Sequence, residues 1–353
     1  MKYMHSEWRQ RLEHWLLTLQ KDLYQPLGTI PVEGFLTMDQ LAPAEAAQRG
    51  DFQPMHPGQL WGRSYEYCWM RARIVLPEAA RALGLPESVR VAAGAGDNAA
   101  AAVGTGTVGE GGCNLSLGTS GTIFISSDRF RVDENNALHA FAHADGGYHL
   151  MGCMLSAASC NKWLMEDIFR TEDYAAEQAA VSREKLGRNP VYFLPYLMGE
   201  RSPINDTNAR GMWIGMTMDT RREDLTQAVL EGVAFAIRDS LEVAGSLGIS
   251  IGKSRICGGG AKSDLWLHIL ANVLNVELER VASEQGPGLG GAMLAMVTCG
   301  AFASVADACR ALVRVSGTVR PDPELAARYA ARYRQFRQIY PACKDLFPRL
   351  LEC

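Results

Sequence analysis

Residues 254–281 read SRICGGGAKSDLWLHILANVLNVELERV, and this stretch decides the class of fold. Its apolar beginning predicts a strand over Ser254–Cys257, which a run of three glycines ends. An amphipathic helix is predicted over Ser263–Leu274 and a second strand over Val276–Val281. Strand, helix and strand in this order form the repeating unit of α/β domains, so we expect an α/β fold.

The same alternation of strands and helices covers residues 76–350. Further strands are predicted at Val89–Ala93, Gly112–Leu117, Thr122–Ser126, Tyr148–Met154, Val191–Phe193 and Gly211–Gly215. Further helices are predicted at Leu155–Phe169, Asp173–Glu184, Arg222–Leu247, Gly288–Cys299, Ser304–Val313 and Pro323–Tyr340. The last helix is expected to end before Pro341, because proline cannot donate a backbone hydrogen bond within a helix.

The N-terminal residues 1–75 do not show this alternation. They are dense in Trp, Gln, Arg and Met, and helical patches are predicted at Glu7–Leu23 and Met38–Gln48. We therefore predict two parts, a divergent helical segment over 1–75 and an α/β domain over 76–350.

The composition is that of an ordinary globular protein, with 47% hydrophobic and 21% charged residues among 353. The net charge of −4 comes without a long basic block, which argues against nucleic-acid binding. Nine cysteines without CxxC spacing indicate buried thiols in a reducing compartment. The sequence contains neither a signal peptide nor an apolar span, so we expect a cytoplasmic protein that does not cross a membrane.

A first motif, Gly94–Ala100, joins a predicted strand to an alanine-rich helix through Asp97. Asp97 has two interpretations. As an N-cap it would satisfy free amides at the start of the helix. As an exposed carboxylate it could accept a proton from a hydroxyl group.

A second motif, Leu115–Thr122, places glycine and hydroxyl residues in a tight turn between two strands. Such a turn can aim backbone amides and hydroxyls at an anionic phosphoryl group. An ordinary hairpin turn explains the same residues equally well.

A third motif, Ile256–Ser263, places three glycines between a strand and a helix, where bare backbone can approach a nucleotide. It is neither GxGxxG nor a Walker A loop. A fourth, Gly286–Ala292, is best explained by close helix packing. His139, His143 and His149 are close in sequence, but no thiol or carboxylate stands beside them at metal spacing, so zinc is disfavoured.

These motifs occur in an order that resembles the FGGY family of carbohydrate kinases. Residues 211–231 carry the family's later signature: GMWIGM at 211–216, then, after seven intervening residues, Asp224-Leu225, and AVLE at 228–231. The blocks HAFAHADGGYHLMGCMLSAASCNKW (139–163) and FLPYLMGERSP (193–203) resemble the members that phosphorylate D-xylulose. They are less similar to the glycerol, gluconate and ribulose kinases of the family.

The resemblance implies an actin-like ATPase, ribonuclease H-like α/β domain with long C-terminal helices. It implies a cleft for ATP, Mg²⁺ and a sugar, and transfer of phosphate from ATP to a ketopentose, giving D-xylulose 5-phosphate. By the resemblance Asp97 is the catalytic base and also touches the sugar together with Asn98. The resemblance further implies that the nucleotide is bound by Gly118, Thr119, Ser120, Gly258, Gly259, Gly260, Ala261, Ser263 and Asp264.

The chain also departs from the family pattern. FGGY kinases begin with a strand and an Asp-x-Gly-Thr loop, and no such loop precedes Gly94. We therefore expect a truncated or degenerate chain that, alone, phosphorylates the sugar slowly or not at all. The alternative is a non-catalytic remnant that binds a nucleotide or a partner. Surface normally covered by a first domain is expected to favour a homodimer.

Overall fold

The computed structural model describes residues 31–37, 43–56, 67–72, 90, 92–283 and 285–350. The chain divides into two compact units, Met1–Arg90 and Val91–Cys353. The division therefore falls later than position 75, where the change in sequence pattern placed it.

The described part of the first unit contains a small antiparallel sheet. Its strands are β1 (Val32–Thr37), β2 (Gln53–Met55) and β3 (Tyr67–Ala72), in the order β2-β1-β3, and α1 (Pro43–Gln48) follows β1. The prediction of a helical segment was wrong over these strands, because β1 (VEGFLT) shows no strict alternation of apolar and polar residues. Of the two helical patches, Met38–Gln48 is helical from Pro43 onward, and Glu7–Leu23 lies outside the described residues.

The second unit is built on a mixed seven-stranded sheet in the order β12-β11-β10-β4-β5-β7-β6. The central strand β10 runs parallel to β4 and β11, and all other pairs are antiparallel. A separate antiparallel pair is formed by β8 and β9. The bounds are β4 (Cys113–Leu117), β5 (Gly121–Ser127), β6 (His139–Ala142), β7 (Tyr148–Met154), β8 (Tyr192–Leu194), β9 (Met212–Ile214), β10 (Lys253–Cys257), β11 (Glu277–Val281) and β12 (Val315–Val319).

Helices pack on this sheet and complete the α/β fold that was expected. They are α2 (Asp97–Gly104), α3 (Ala158–Lys162), α4 (Tyr174–Ala179), α5 (Arg222–Ser246), α6 (Asp264–Leu274), α7 (Gly286–Thr298), α8 (Val305–Leu312), α9 (Pro323–Cys343) and α10 (Phe347–Leu350). A π-helical turn, Trp163–Ile168, continues α3. Among the described residues, no helix is both long enough and apolar enough to span a membrane.

Three sequence predictions for this unit were wrong. The described residues of Val89–Ala93 form no strand. The edge strands β6 and β12 were missed. Helix α9 continues through Pro341 to Cys343, where the buried thiol of Cys343 lies 3.1 Å from the carbonyl oxygen of Ile339. Packing of the buried Cys343 and Phe347 holds this last turn against the preference of proline.

Long helices α5 and α9 are joined by a buried polar cluster. The carboxylate of Glu231 on α5 accepts hydrogen bonds from Arg332 Nη2 (2.9 Å) and the Tyr329 hydroxyl (2.9 Å), both on α9. Gln227 Nε2 donates to the same carboxylate at 2.7 Å. Burial raises the pKa of the Tyr329 phenol, so this phenol remains a donor. The cluster fixes α9 against α5, which itself covers the sheet.

Candidate active site

Asp97 is the first residue of α2 and is exposed. The N-cap of the helix is Gly96, which has no side chain, so the N-cap interpretation of Asp97 was wrong. One carboxylate oxygen of Asp97 accepts the backbone amide of Asn98 at 2.8 Å. The start of a helix also favours a negative charge. A carboxylate is thus presented to solvent at the start of a helix.

Two glycines allow α2 to lie directly against α7. A β-carbon on Gly104 would lie 1.9 Å from the carbonyl oxygen of Gly286, and one on Gly290 would lie 1.8 Å from that of Ala100. Both distances are far below any real contact, so the two helices meet backbone to backbone. The close-packing interpretation of the Gly286–Ala292 motif is confirmed at Gly290. This seam fixes the position of α2, and with it Asp97.

We expect Gly290→Ala to lower the free energy of unfolding by about 1–3 kcal/mol, because the added methyl group forces α2 and α7 apart. Gly291→Ala is the matched control, since nothing lies within 4 Å of a β-carbon built there. The control should be neutral or add about 0.5–1 kcal/mol, the usual gain of alanine over glycine in a helix. Urea unfolding of both variants measures the difference, and equal effects would contradict the close packing.

The turn Gly118-Thr119-Ser120 connects β4 to the antiparallel β5, so it is a hairpin turn. Its carbonyl oxygens hold the start of α3: Gly118 O accepts from Ala158 N at 2.9 Å and Thr119 O from Ala157 N at 3.0 Å. The Ser159 hydroxyl donates to the same Thr119 oxygen at 2.8 Å. The turn and α3 therefore form one rigid unit at the end of the central strands.

The three glycines that follow β10 lie against the end of β4. Gly258 has φ 90°, and a β-carbon there would lie 2.6 Å from the Leu117 carbonyl oxygen. A β-carbon on Gly260 would lie 2.9 Å from the Trp266 ring, whereas at Gly259 it would meet nothing within 4 Å. Packing thus requires Gly258 and Gly260, while Gly259 leaves bare backbone facing open space. The chain then enters α6, capped by the Ser263 hydroxyl, which accepts from Trp266 N at 3.0 Å.

Two cavities meet at this glycine turn. The Trp266 cavity, of about 500 Å³, is lined by the predicted residues Thr119, Gly259, Gly260 and Ser263. The Asp97 cavity, of about 710 Å³, is lined by the predicted residues Asp97, Asn98, Gly258, Gly259 and Ala261. Both are lined by Gly259 and Lys262, so they adjoin.

Some predicted residues line neither cavity. Gly118 and Ser120 flank Thr119 in the turn, but only Thr119 contributes to the Trp266 cavity. The Asp264 carboxylate is 80% exposed and pairs with the Arg280 guanidinium. Asp264 therefore forms an ion pair with Arg280, and Arg280 in turn lines the Asp97 cavity.

Three charged side chains lie among the described lining residues of the Asp97 cavity. Asp97 is the single carboxylate among the described lining residues, and the cations are Lys262 and Arg280. Burial raises the pKa of the Cys257 thiol, which also lines the cavity, so this side chain stays protonated. Sequence reasoning assigned no role to either cation, although Lys262 lies within the Ile256–Ser263 motif. The cavity can attract an anion and offers one proton acceptor.

The histidines lie away from these cavities. His143 and His149 are buried, and His149 stacks on Phe124 with ring centroids 4.0 Å apart. Burial lowers the pKa of His149 to about 4, so its ring is neutral at physiological pH. In the part of the chain that the structure describes, no cluster of three His, Cys, Asp or Glu side chains suits a metal ion.

Comparison with known proteins agrees with this geometry. Residues 113–299 match the C-terminal domain of the FGGY family of carbohydrate kinases. The chain is 39% identical over 268 residues to the xylulose kinase of Escherichia coli (strain K12), covering 75% of this chain and 55% of that protein. It is 32% identical over 273 residues to the xylulose kinase of Bacillus subtilis (strain 168), covering 77% and 55%. The chain thus spans little more than half the length of these relatives.

Solved structures give the same result. A xylulose kinase from Brucella ovis superimposes with a TM-score of 0.71 at 37% identity, covering 76% of this chain and 55% of that one. A xylulose kinase from Rhodospirillum rubrum superimposes with a TM-score of 0.68 at 30% identity, covering 77% and 56%. The α/β domain therefore has the actin-like ATPase fold of these sugar kinases, which confirms the expected fold class.

Proposed function

Since the chain belongs to the FGGY family of carbohydrate kinases, we propose that it takes part in the ATP-dependent phosphorylation of the ketopentose D-xylulose. One observation carries the proposal: among the described lining residues, the carboxylate of Asp97 shares a cavity with two cations and a bare glycine turn. Phosphoryl transfer needs these groups, because catalysis consists mainly of positioning and charge stabilisation. The choice of sugar rests on the relatives, which are named xylulose kinases.

The nucleotide would occupy both cavities. Its nucleoside would occupy the Trp266 cavity, which is lined by Thr119, Gly260 and Ser263. Its phosphates would cross the bare backbone at Gly259, pass Gly258 and Ala261, and reach the Asp97 cavity. Lys262 lines both cavities, so its ammonium group can neutralise the phosphates where they cross. Gly118 and Ser120 would act from the adjoining turn, and Asp264 would act by holding Arg280.

Asp97 would accept the proton of the 5-hydroxyl of D-xylulose while Asn98 orients the sugar. The hydroxyl oxygen bonds to the terminal phosphorus as the bond from phosphorus to the bridging oxygen breaks, and ADP leaves with that electron pair. Amides and hydroxyls of residues 118–120 would stabilise charge on the phosphoryl oxygens. The product is D-xylulose 5-phosphate, with the proton on Asp97.

Mg²⁺ fits this arrangement. Proteins that bind Mg²⁺ with a nucleotide supply only one or two carboxylates, and the phosphates supply further ligands. Asp97, the carboxylate among the described lining residues, is assigned to the sugar proton, so the phosphates would supply most ligands of the ion. When bound, the ion would add positive charge beside the phosphates. Homodimer formation and a cytoplasmic location stay predictions.

A second candidate function is nucleotide binding without chemistry. It is considered because the chain spans 55% of the length of the xylulose kinase of Escherichia coli that it matches. Both candidates use the same two cavities, so they differ only in whether a sugar stimulates the release of ADP.

A titration with ADP, followed by a coupled ADP-release assay with and without D-xylulose, tests the proposal. We expect ADP binding and release that depends on D-xylulose, slower than the roughly 1–100 per second of typical kinases. Binding without sugar-dependent release would favour the second candidate. The absence of nucleotide binding would overturn both.

A further inference from the structure

The Trp266 cavity contains a buried carboxamide that packing alone does not explain. Asn161 on α3 lines the cavity and is only 5% exposed. Its Oδ1 atom is buried and has no hydrogen-bond partner in the structure. An unpaired buried polar group destabilises a fold by about 1–3 kcal/mol, so each such group calls for an explanation, and a ligand can be the missing partner where the group faces a cavity.

The backbone of the helix that carries Asn161 is held in place at its start. Helix α3 is fixed at its start by the carbonyl oxygens of Gly118 and Thr119. After Lys162 it passes into the π-helical turn Trp163–Ile168, a rare geometry that often marks functional sites. The torsion at the end of an asparagine side chain is broad, so either end of the carboxamide can turn toward the cavity.

A second carboxamide, that of Gln178 on α4, lines the same cavity. Its Oε1 accepts the hydroxyl of Ser263 at 2.5 Å, while that hydroxyl oxygen accepts the amide of Trp266. The oxygen end of Gln178 is therefore occupied. Its Nε2 end remains to donate to a ligand.

We propose that Asn161 reads the nucleobase and selects adenine, with Gln178 as a supporting donor. This inference rests on the proposed function, since it assigns the base to the Trp266 cavity. A carboxamide carries an acceptor beside a donor, and adenine carries its amino donor beside a ring-nitrogen acceptor. The two therefore form a pair of hydrogen bonds, the same pairing by which asparagine reads adenine in DNA.

The isosteric change Asn161→Asp tests this chemistry. A carboxylate only accepts hydrogen bonds, so it repels the ring nitrogen of adenine. Guanine instead offers two adjacent donors, at N1 and N2, which a carboxylate can accept together. We expect the ratio of ADP affinity to GDP affinity to fall by roughly 10- to 100-fold relative to the unmodified chain, as a lost bidentate pair implies. Calorimetric titration with ADP and with GDP measures both affinities without any enzymatic turnover.

Asn208→Asp is the matched control, because Asn208 is exposed and lines neither cavity. It should leave both affinities unchanged. If a buried carboxylate at position 161 prevents folding, Gln178→Glu tests the same inference at a half-buried position. This change removes the supporting donor, so it should also lower the ratio of ADP affinity to GDP affinity. An unchanged ratio in the folded variants would overturn base reading and leave the proposed function intact. Failure of the unmodified chain to bind either nucleotide would instead refute the proposed function, and base reading with it.

Discussion

Replacing Asp97 by asparagine is expected to reduce D-xylulose-dependent ADP release by about 10²- to 10⁴-fold, the usual contribution of a general base. The change keeps the shape of the side chain and removes its ability to accept a proton. Asp97 has no other carboxylate to replace it among the described residues of its cavity. The affinity for ADP should stay within about twofold, because the proposed nucleoside contacts lie in the Trp266 cavity. The coupled assay and an ADP titration provide the two measurements.

Asp128→Asn is the control for this prediction, because Asp128 is exposed and lines neither cavity. Its rate should equal that of the unmodified chain. Sugar-dependent release that survives in Asp97→Asn would show that another group accepts the proton. A loss of rate and of ADP affinity together would place Asp97 in nucleotide binding.

Replacing Glu231 by alanine is expected to lower the free energy of unfolding by about 3–5 kcal/mol, the cost of removing one partner of a buried ion pair. Glu231 is 1% exposed, and its pair with Arg332 is 2.9 Å long. The change leaves the Arg332 charge buried, with the Val191 carbonyl oxygen at 3.2 Å and the Tyr192 ring at 4.2 Å. Guanidinium unfolding gives the free energy directly.

Glu242→Ala, on the same helix, is the matched control, because Glu242 is 49% exposed and pairs with Arg238 at the surface. Its effect should stay below about 1 kcal/mol. The double variant Glu231→Leu with Arg332→Met removes both charges and should recover most of the lost stability. Similar losses for Glu231→Ala and Glu242→Ala would contradict the role of the buried cluster.

The sequence predicted the elements whose residues repeat over a long stretch. Helix α5 was recognised because its apolar residues recur over 25 residues, and β7 was placed at its observed bounds because four of its seven residues are Leu, Met or Cys. The edge strands β6 and β12 have one neighbour each, so they show little burial pattern. The predicted end of α9 before Pro341 was wrong, because the burial of Cys343, which depends on tertiary packing, decides where α9 ends.

The candidate site was predictable where the backbone imposes glycine, as at Gly258 against Leu117. Asn161 and Gln178 could not be found in this way. Each is a single polar residue on a short helix, indistinguishable in sequence from a surface residue. They meet in one cavity only because α3 and α4 pack beside the glycine turn. Residues that are distant in sequence and meet only in the folded cavity show no local pattern in the sequence.

The bare backbone at Gly259 also determines how a long ligand can thread the molecule. A ligand that fills both cavities would pass over Gly259, which has no side chain. Nothing lies within 4 Å of a β-carbon built at this position. At this position no side chain narrows the passage between the two cavities.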